Sequence, residues 1–105
     1  MGRLDDAIEE RKTAQQLEPD SPLMDSALGE AYYQARQFDN TITYNKLSLV
    51  HDRSWPVGLI NLGRAYEQKG MFAEALAAYQ TILAVAPDDP SLLALAAHVH
   101  AVSGK

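Results

Sequence analysis

The chain contains no cysteine. Disulfides and thiolate metal sites are therefore excluded, and the composition fits a reducing compartment, so a cytoplasmic location is expected. Large aromatics are scarce, with one Trp and two Phe beside five Tyr in 105 residues. Positive charge is also short: Lys and Arg number 9 against 14 Asp and Glu, a net charge of −5. That balance argues against a nucleic-acid partner on electrostatic grounds. No apolar run approaches the roughly 18 residues that a membrane helix needs. Met1 leads into an acidic, amphipathic stretch and not into the apolar core of a signal peptide. Clusters of β-branched residues and two-residue alternation are sparse, so strands are not expected. At 47% apolar and 22% charged, the chain has the composition of a folded domain.

What the sequence does have is a period. Pro22, Pro56 and Pro90 follow one another at steps of 34 residues. Leu28 and Leu62 keep the same step, as do Gly29 and Gly63, and Tyr32 and Tyr66. So do Leu4, Phe38 and Phe72, then Ile8, Ile42 and Leu76, and finally Gly70 and Gly104. A single irregular core has no reason to space its punctuation evenly. A stack of like units does, because each buries the same faces against its neighbours.

The punctuation also gives the elements. Ser21-Pro22, Ser54-Trp55-Pro56 and Asp89-Pro90 pair a capping side chain with a proline in the first helical turn, where a missing N–H costs nothing. Pro19 and Pro87 bracket tight connections, and Gly70 and Gly104 suit helix ends in the left-handed conformation. The pattern predicts six helices at 3–17, 22–35, 38–51, 56–69, 72–85 and 90–102. Leu59, Leu62, Gly63 and Tyr66 share one helix face, and Ala75, Leu76, Tyr79, Ile82 and Leu83 share the face of the next. Small residues at Gly63 and Ala75 allow close approach of the two backbones.

These residues resemble a family. The run Leu59 to Tyr66, with Leu62-Gly63 and Tyr66, is similar to the first-helix signature of tetratricopeptide repeats, with Leu in place of its Trp. Gly70 to Tyr79 resembles the family's second helix, and Pro87 its closing proline. The unit 22–55 keeps Leu28, Gly29, Tyr32, Phe38 and Ile42. The resemblance implies an all-α, right-handed tetratricopeptide-type solenoid of six antiparallel helices in one domain. It divides into a lone second helix (2–21), two full repeats (22–55 and 56–89) and a lone first helix (90–105). The Ala-rich, loosely matched repeats are similar to arrays that trail bacterial signalling proteins such as kinases, cyclases or winged-helix regulators.

Helix 38–51 departs from the family pattern. Thr41, Asn45, Ser48 and His51 stand on its inward columns. Either these polar residues are buried, or a one-residue rotation brings Tyr44 and Leu47 inward. A buried Asn45 requires a hydrogen-bond partner, and this helix is expected to be the least well packed.

The ends suggest a second theme. Helix 90–102 is apolar nearly all round, as a buried helix is, and the expectation is a piece of a longer protein or a self-associating one. Leu92, Leu95, Val99 and Val102 are the candidates for homo-oligomerisation. Helix 90–102 of one chain could dock on helix 3–17 of another and rebuild a repeat, or pair with its own copy about a two-fold axis.

No catalytic constellation is present, so an enzyme is not expected, and no cofactor or metal is implied. His98 and His100 lie two apart and point different ways, unlike a zinc pair at i, i+4. His100 occupies the Tyr32 and Tyr66 column and is expected to pack. His98 is either a ligand contact or a solvated side chain. Asp5, Asp6, Glu9 and Glu10 read as a solvated helix face beside Arg11 and Lys12. None of the six serines has a nucleophile-elbow context.

The family resemblance implies binding of a protein or peptide partner, in extended or helical form, along the first helices. Matching columns place Leu23, Ser26, Glu30, Tyr33 and Gln34 there, then Val57, Ile60, Asn61, Arg64, Glu67 and Gln68. Ser91, Ala94, Leu95 and His98 complete the groove. The family's best-known mode grips a C-terminal carboxylate with Lys, Asn and Arg at fixed positions. Here Asn61 alone stands on such a column, with Arg64 beside it, so that mode is not expected. The leading expectation is a non-enzymatic interaction scaffold, with self-assembly through helix 90–102 as the alternative.

Overall fold

A computed structural model describes residues 2–104. Its elements are α1 (Gly2–Leu17), α2 (Pro22–Gln34), α3 (Phe38–His51), α4 (Pro56–Gln68), α5 (Phe72–Leu83) and α6 (Pro90–Val102). These six helices are the regular elements of the described residues, and no strand occurs among them. Each helix packs on the next in chain order, and α2 also touches α4. The result is a stack of hairpins measuring 40 × 29 × 19 Å.

Local chemistry explains the boundaries. The Ser21 side chain accepts from the Met24 N–H at 3.2 Å, and Asp89 accepts from the N–H groups of Ser91 and Leu92 at 2.9 and 3.2 Å. Ser54 does not cap α4 as expected. Its own N–H is held by the Asp52 carboxylate at 3.1 Å, and Trp55 takes the cap position without a side-chain cap bond. The Trp55 indole N–H instead reaches across to Ser26 Oγ at 2.8 Å. Both long hairpins close in the same way. Gln37 N–H donates to Tyr32 O at 2.9 Å, and Met71 N–H to Tyr66 O at 2.8 Å, one period on. Gly70 and Gly104 have φ of 74°, and Arg36, in the same column, is left-handed at 61°. Arg36 offsets that strain by laying its guanidinium 5.9 Å over the Phe38 ring.

The interior divides into apolar clusters. One holds Ile8, Leu28, Ala31 and Tyr32, with Tyr44 stacked on Tyr32 at 5.6 Å. A larger one holds Leu62, Tyr66, Ala75, Ala78, Tyr79 and Val99, and a third joins Leu59, Ile82 and Leu92. Between them runs a polar seam of Asp25, Ser26, Thr41, Asn45, Ser48 and Asn61, all buried. The register of α3 is therefore the polar one: Thr41, Asn45 and Ser48 point inward, while Tyr44 and Leu47 flank them half-buried. Asn45 Nδ2 donates to Thr41 O at 2.9 Å, and Asn61 Nδ2 donates to Asn45 Oδ1 at 3.4 Å. Asp25 accepts from Gln15 Nε2 at 3.2 Å and lies 2.8 Å from His51 Nδ1, tying α1, α2 and α3 together. Among the described residues, no buried side-chain nitrogen or oxygen lacks a partner.

Two expectations about packing are corrected. The sparsest packing is at α1, where Ile8 is the one buried residue, and not at α3. The reason is position: α1 packs chiefly on α2, whereas α3 is packed on both α2 and α4. His100 is exposed although Tyr32 and Tyr66 in its column are buried, and Val99 at 1% exposure fills the interior of α6 instead. Those tyrosines each have a following hairpin over them, and α6 is the last described helix.

Candidate functional site

The first-helix face is built by α2, α4 and α6, and the structure brings several of its expected residues together. Tyr33 is half-buried, set edge-on to Phe38 at 5.4 Å, and its hydroxyl accepts from Gln68 Nε2 at 3.5 Å. Tyr33, Gln34, Arg36, Phe38 and Gln68 line a depression of about 210 Å³ where α2 meets α4. Glu67 on α4 faces α6, with its Oε1 3.6 Å from His98 Nε2. His98 is thus placed on the face as a largely exposed neighbour of a carboxylate. Glu30 is exposed on α2.

A second, more apolar cleft of about 340 Å³ opens between α4 and α6. Ile60, Leu92 and Leu95 line its walls, Ile82 near the end of α5 and Ala86 just beyond it form its floor, and Arg64 and Val85 stand at its rim. Ile60 and Leu95 are half-buried, so both still present apolar surface to a ligand. Sequence reasoning placed Ile60, Arg64, Ser91 and Leu95 here but missed the α5 floor. A hydrophobic Val85 just before the closing turn was the available signal; it is 78% exposed.

The electrostatic centre of the face is Glu67. Its Oε2 accepts from the Tyr79 hydroxyl at 2.6 Å. Tyr79 comes from α5, behind α4, and reaches the face because position 63 is glycine: a Cβ there would overlap the tyrosine ring. Burial, reinforced by the hydrogen bond to the Glu67 carboxylate and by its charge, pushes the Tyr79 hydroxyl far above the ordinary phenol range. Arg64 opposes that shift weakly. Tyr79 therefore stays a donor and fixes the carboxylate.

Other expected residues lie elsewhere. Asn61 is buried in the seam, held to Asn45, because α4 turns that side chain toward α3. Ser26 is likewise buried under the Trp55 indole. Of the four self-association candidates, Leu92 and Val99 are buried against α4 and α5, since α6 uses them to join the stack. Leu95 is half-buried in the cleft, and Val102 is exposed. No group of three or more His, Cys, Asp or Glu side chains among the described residues could hold a metal ion. Among the described residues, no helix is long and apolar enough to cross a membrane.

Known proteins resemble this arrangement. Residues 56–89 match the sequence model of the tetratricopeptide repeat. No curated protein matches the chain in sequence. The first tetratricopeptide domain of Spaghetti (RPAP3), bound to an HSP90 peptide, superposes with a TM-score of 0.90 at 18% identity, covering 99% of this chain and 82% of that one. The second such domain of human RPAP3, in complex with an HSP70 peptide, gives 0.84 at 17% identity, covering 93% and 82%. PcrH in complex with the chaperone binding region of PopD gives 0.76 at 19% identity, covering 98% and 77%. Residues 56–89 thus match a tetratricopeptide repeat in sequence, and the chain as a whole has the tetratricopeptide fold.

Proposed function

We propose that the protein is a non-enzymatic interaction module that binds a peptide or helix of a partner protein along α2, α4 and α6. The observation that carries this reading is the cleft between α4 and α6, apolar on its walls with Arg64 at its rim, and Glu67 lies farther along α4 beside His98. It is supported by three structural neighbours whose own partners are peptides or a chaperone-binding region. Within it the units are a lone second helix (2–21), two repeats (22–55 and 56–89) and a lone first helix (90–105). The terminal-carboxylate grip does not suit this face, because Asn61 is committed to Asn45 and, of the residues lining the cleft, Arg64 is the one cation.

Quantitative affinity capture tests the reading. Ile60→Glu and Leu95→Glu should lose the partners retained by the unaltered chain. Val50→Glu, on an exposed position of α3, should keep them. Equal recovery by all three variants would remove the cleft from the function.

Self-assembly is the second reading, and it now rests on less surface. Exposed Leu93 and Val102 favour it, while Leu92 and Val99 are withdrawn from it. Light scattering across a concentration series decides the matter, since a monomer at high micromolar concentration ends this alternative.

A further inference from the structure

The cleft and Glu67 together specify what kind of segment fits. This inference rests on the interaction reading above and narrows it. Glu67 is a carboxylate with its side chain only 13% exposed. Its Oε2 is engaged by Tyr79, but Oε1 meets only His98 Nε2 at 3.6 Å, beyond hydrogen-bond distance. A carboxylate oxygen accepts about two hydrogen bonds, so Oε1 has unused capacity on the open face. Of the charges lining the cleft, Asp89 is occupied in capping α6, which leaves Arg64, exposed at the rim, to weigh against Glu67. An exposed charge is screened by water and salt, whereas a partly buried one keeps most of its field. Between the two, the partly buried carboxylate dominates the recognition of charge. Glu30 on α2 adds a second carboxylate to the same face, in a chain that is acidic overall.

We propose that the face recognises a basic-apolar peptide segment of a partner protein, seating one apolar side chain between Ile60 and Leu95 and a Lys or Arg against Glu67 Oε1. The spacing follows from the helix. Ile60 and Glu67 are seven positions apart on α4, about 10 Å along the axis at 1.5 Å per residue. A polyproline II segment, at about 3.1 Å per residue and three residues per turn, covers that distance in about three residues and turns positions i and i+3 to the same side. The apolar anchor and the cation therefore stand at i and i+3 in a ligand of that form. Arg64, at the rim between them, disfavours a further cation at the intervening positions. A cleft of about 340 Å³ accommodates one large aliphatic or aromatic side chain with room for its neighbours.

Selection from a random peptide library displayed on phage, using the intact 105-residue chain as bait, tests this. Enriched peptides should carry an apolar residue with Lys or Arg three positions away. Synthetic copies should bind Glu67→Gln at least tenfold more weakly than the unaltered chain, with the difference shrinking as salt rises. Glu67→Gln keeps an acceptor for Tyr79, and thermal melting by circular dichroism verifies its fold. Peptides that are lost on Ile60→Glu but indifferent to Glu67→Gln, or that carry Asp or Glu at the charged position, overturn the basic-apolar assignment and leave the cleft as the binding site. No enrichment, or peptides that bind Ile60→Glu and Leu95→Glu undiminished, overturns the interaction reading itself.

Discussion

Gly63 and Tyr79 act as a pair. The glycine leaves the space through which the tyrosine ring passes, and the tyrosine holds Glu67 in place. Gly63→Ala should lower stability by about 1–3 kcal/mol, because overpacking outweighs the helix propensity that alanine gains, about 1 kcal/mol. Urea denaturation measures this. Tyr79 also sets a pH dependence. In the unfolded chain its hydroxyl ionises near the ordinary value of about 10, while in the fold it remains protonated well above that. The folded state then binds the extra proton, so the contribution of this group is full below about pH 10 and declines as pH rises further. Tyr79→Phe should flatten the fall in stability that denaturation reads above about pH 10, and cost about 1 kcal/mol at neutral pH. The sequence showed that Gly63 allows a close approach, since glycine on a buried helix face has few other uses. It did not show which side chain fills the space, because that depends on how α5 is rotated against α4.

At the scale of the element, α3 is the helix whose sequence and surroundings conflict most. Its inward column is Thr41, Asn45 and Ser48, and each satisfies itself partly on its own backbone: Thr41 donates to Gln37 O at 3.2 Å and Ser48 to Asn45 O at 2.6 Å. Asn45→Ala would strand the Asn61 amide and should destabilise by about 1–3 kcal/mol. Replacing both asparagines by alanine should cost less than the two single changes added together, which a double-mutant cycle reads directly. Two registers were open for α3 because hydropathy favours Tyr44 and Leu47 inward while the period favours the polar column. The period prevails since Gly29 and Asn61 on the adjoining helices receive the Asn45 side chain. A pattern confined to one helix could not reveal that.

Over the whole molecule, each helix answers mainly to its chain neighbours, so stability is expected to vary along the stack. α1 buries Ile8 alone, and α4 buries seven residues from Gly58 to Tyr66. Amide hydrogen exchange should be fastest in α1 and slowest in α4, and Ile8→Ala should release α1 while leaving α4 protected. Uniform protection in both helices would contradict this gradient. The six helices were legible from sequence because proline, glycine and the apolar columns repeat together. The cleft was half legible: its α4 and α6 walls follow from the columns, while its α5 floor arises from how three helices meet.

The polar seam has a bearing on assembly order. Hairpins of similar outline could in principle trade places, within one chain or between two copies, with little loss of oily contact. The two joints on the α1 side are keyed differently. Gln15 meets Asp25 where α1 joins the first hairpin, and the Trp55 indole meets Ser26 and Asn61 meets Asn45 where that hairpin joins the next. A shuffled stack would leave these groups dry and mismatched, so the native sequence of hairpins is enforced by lock and ward rather than by grease.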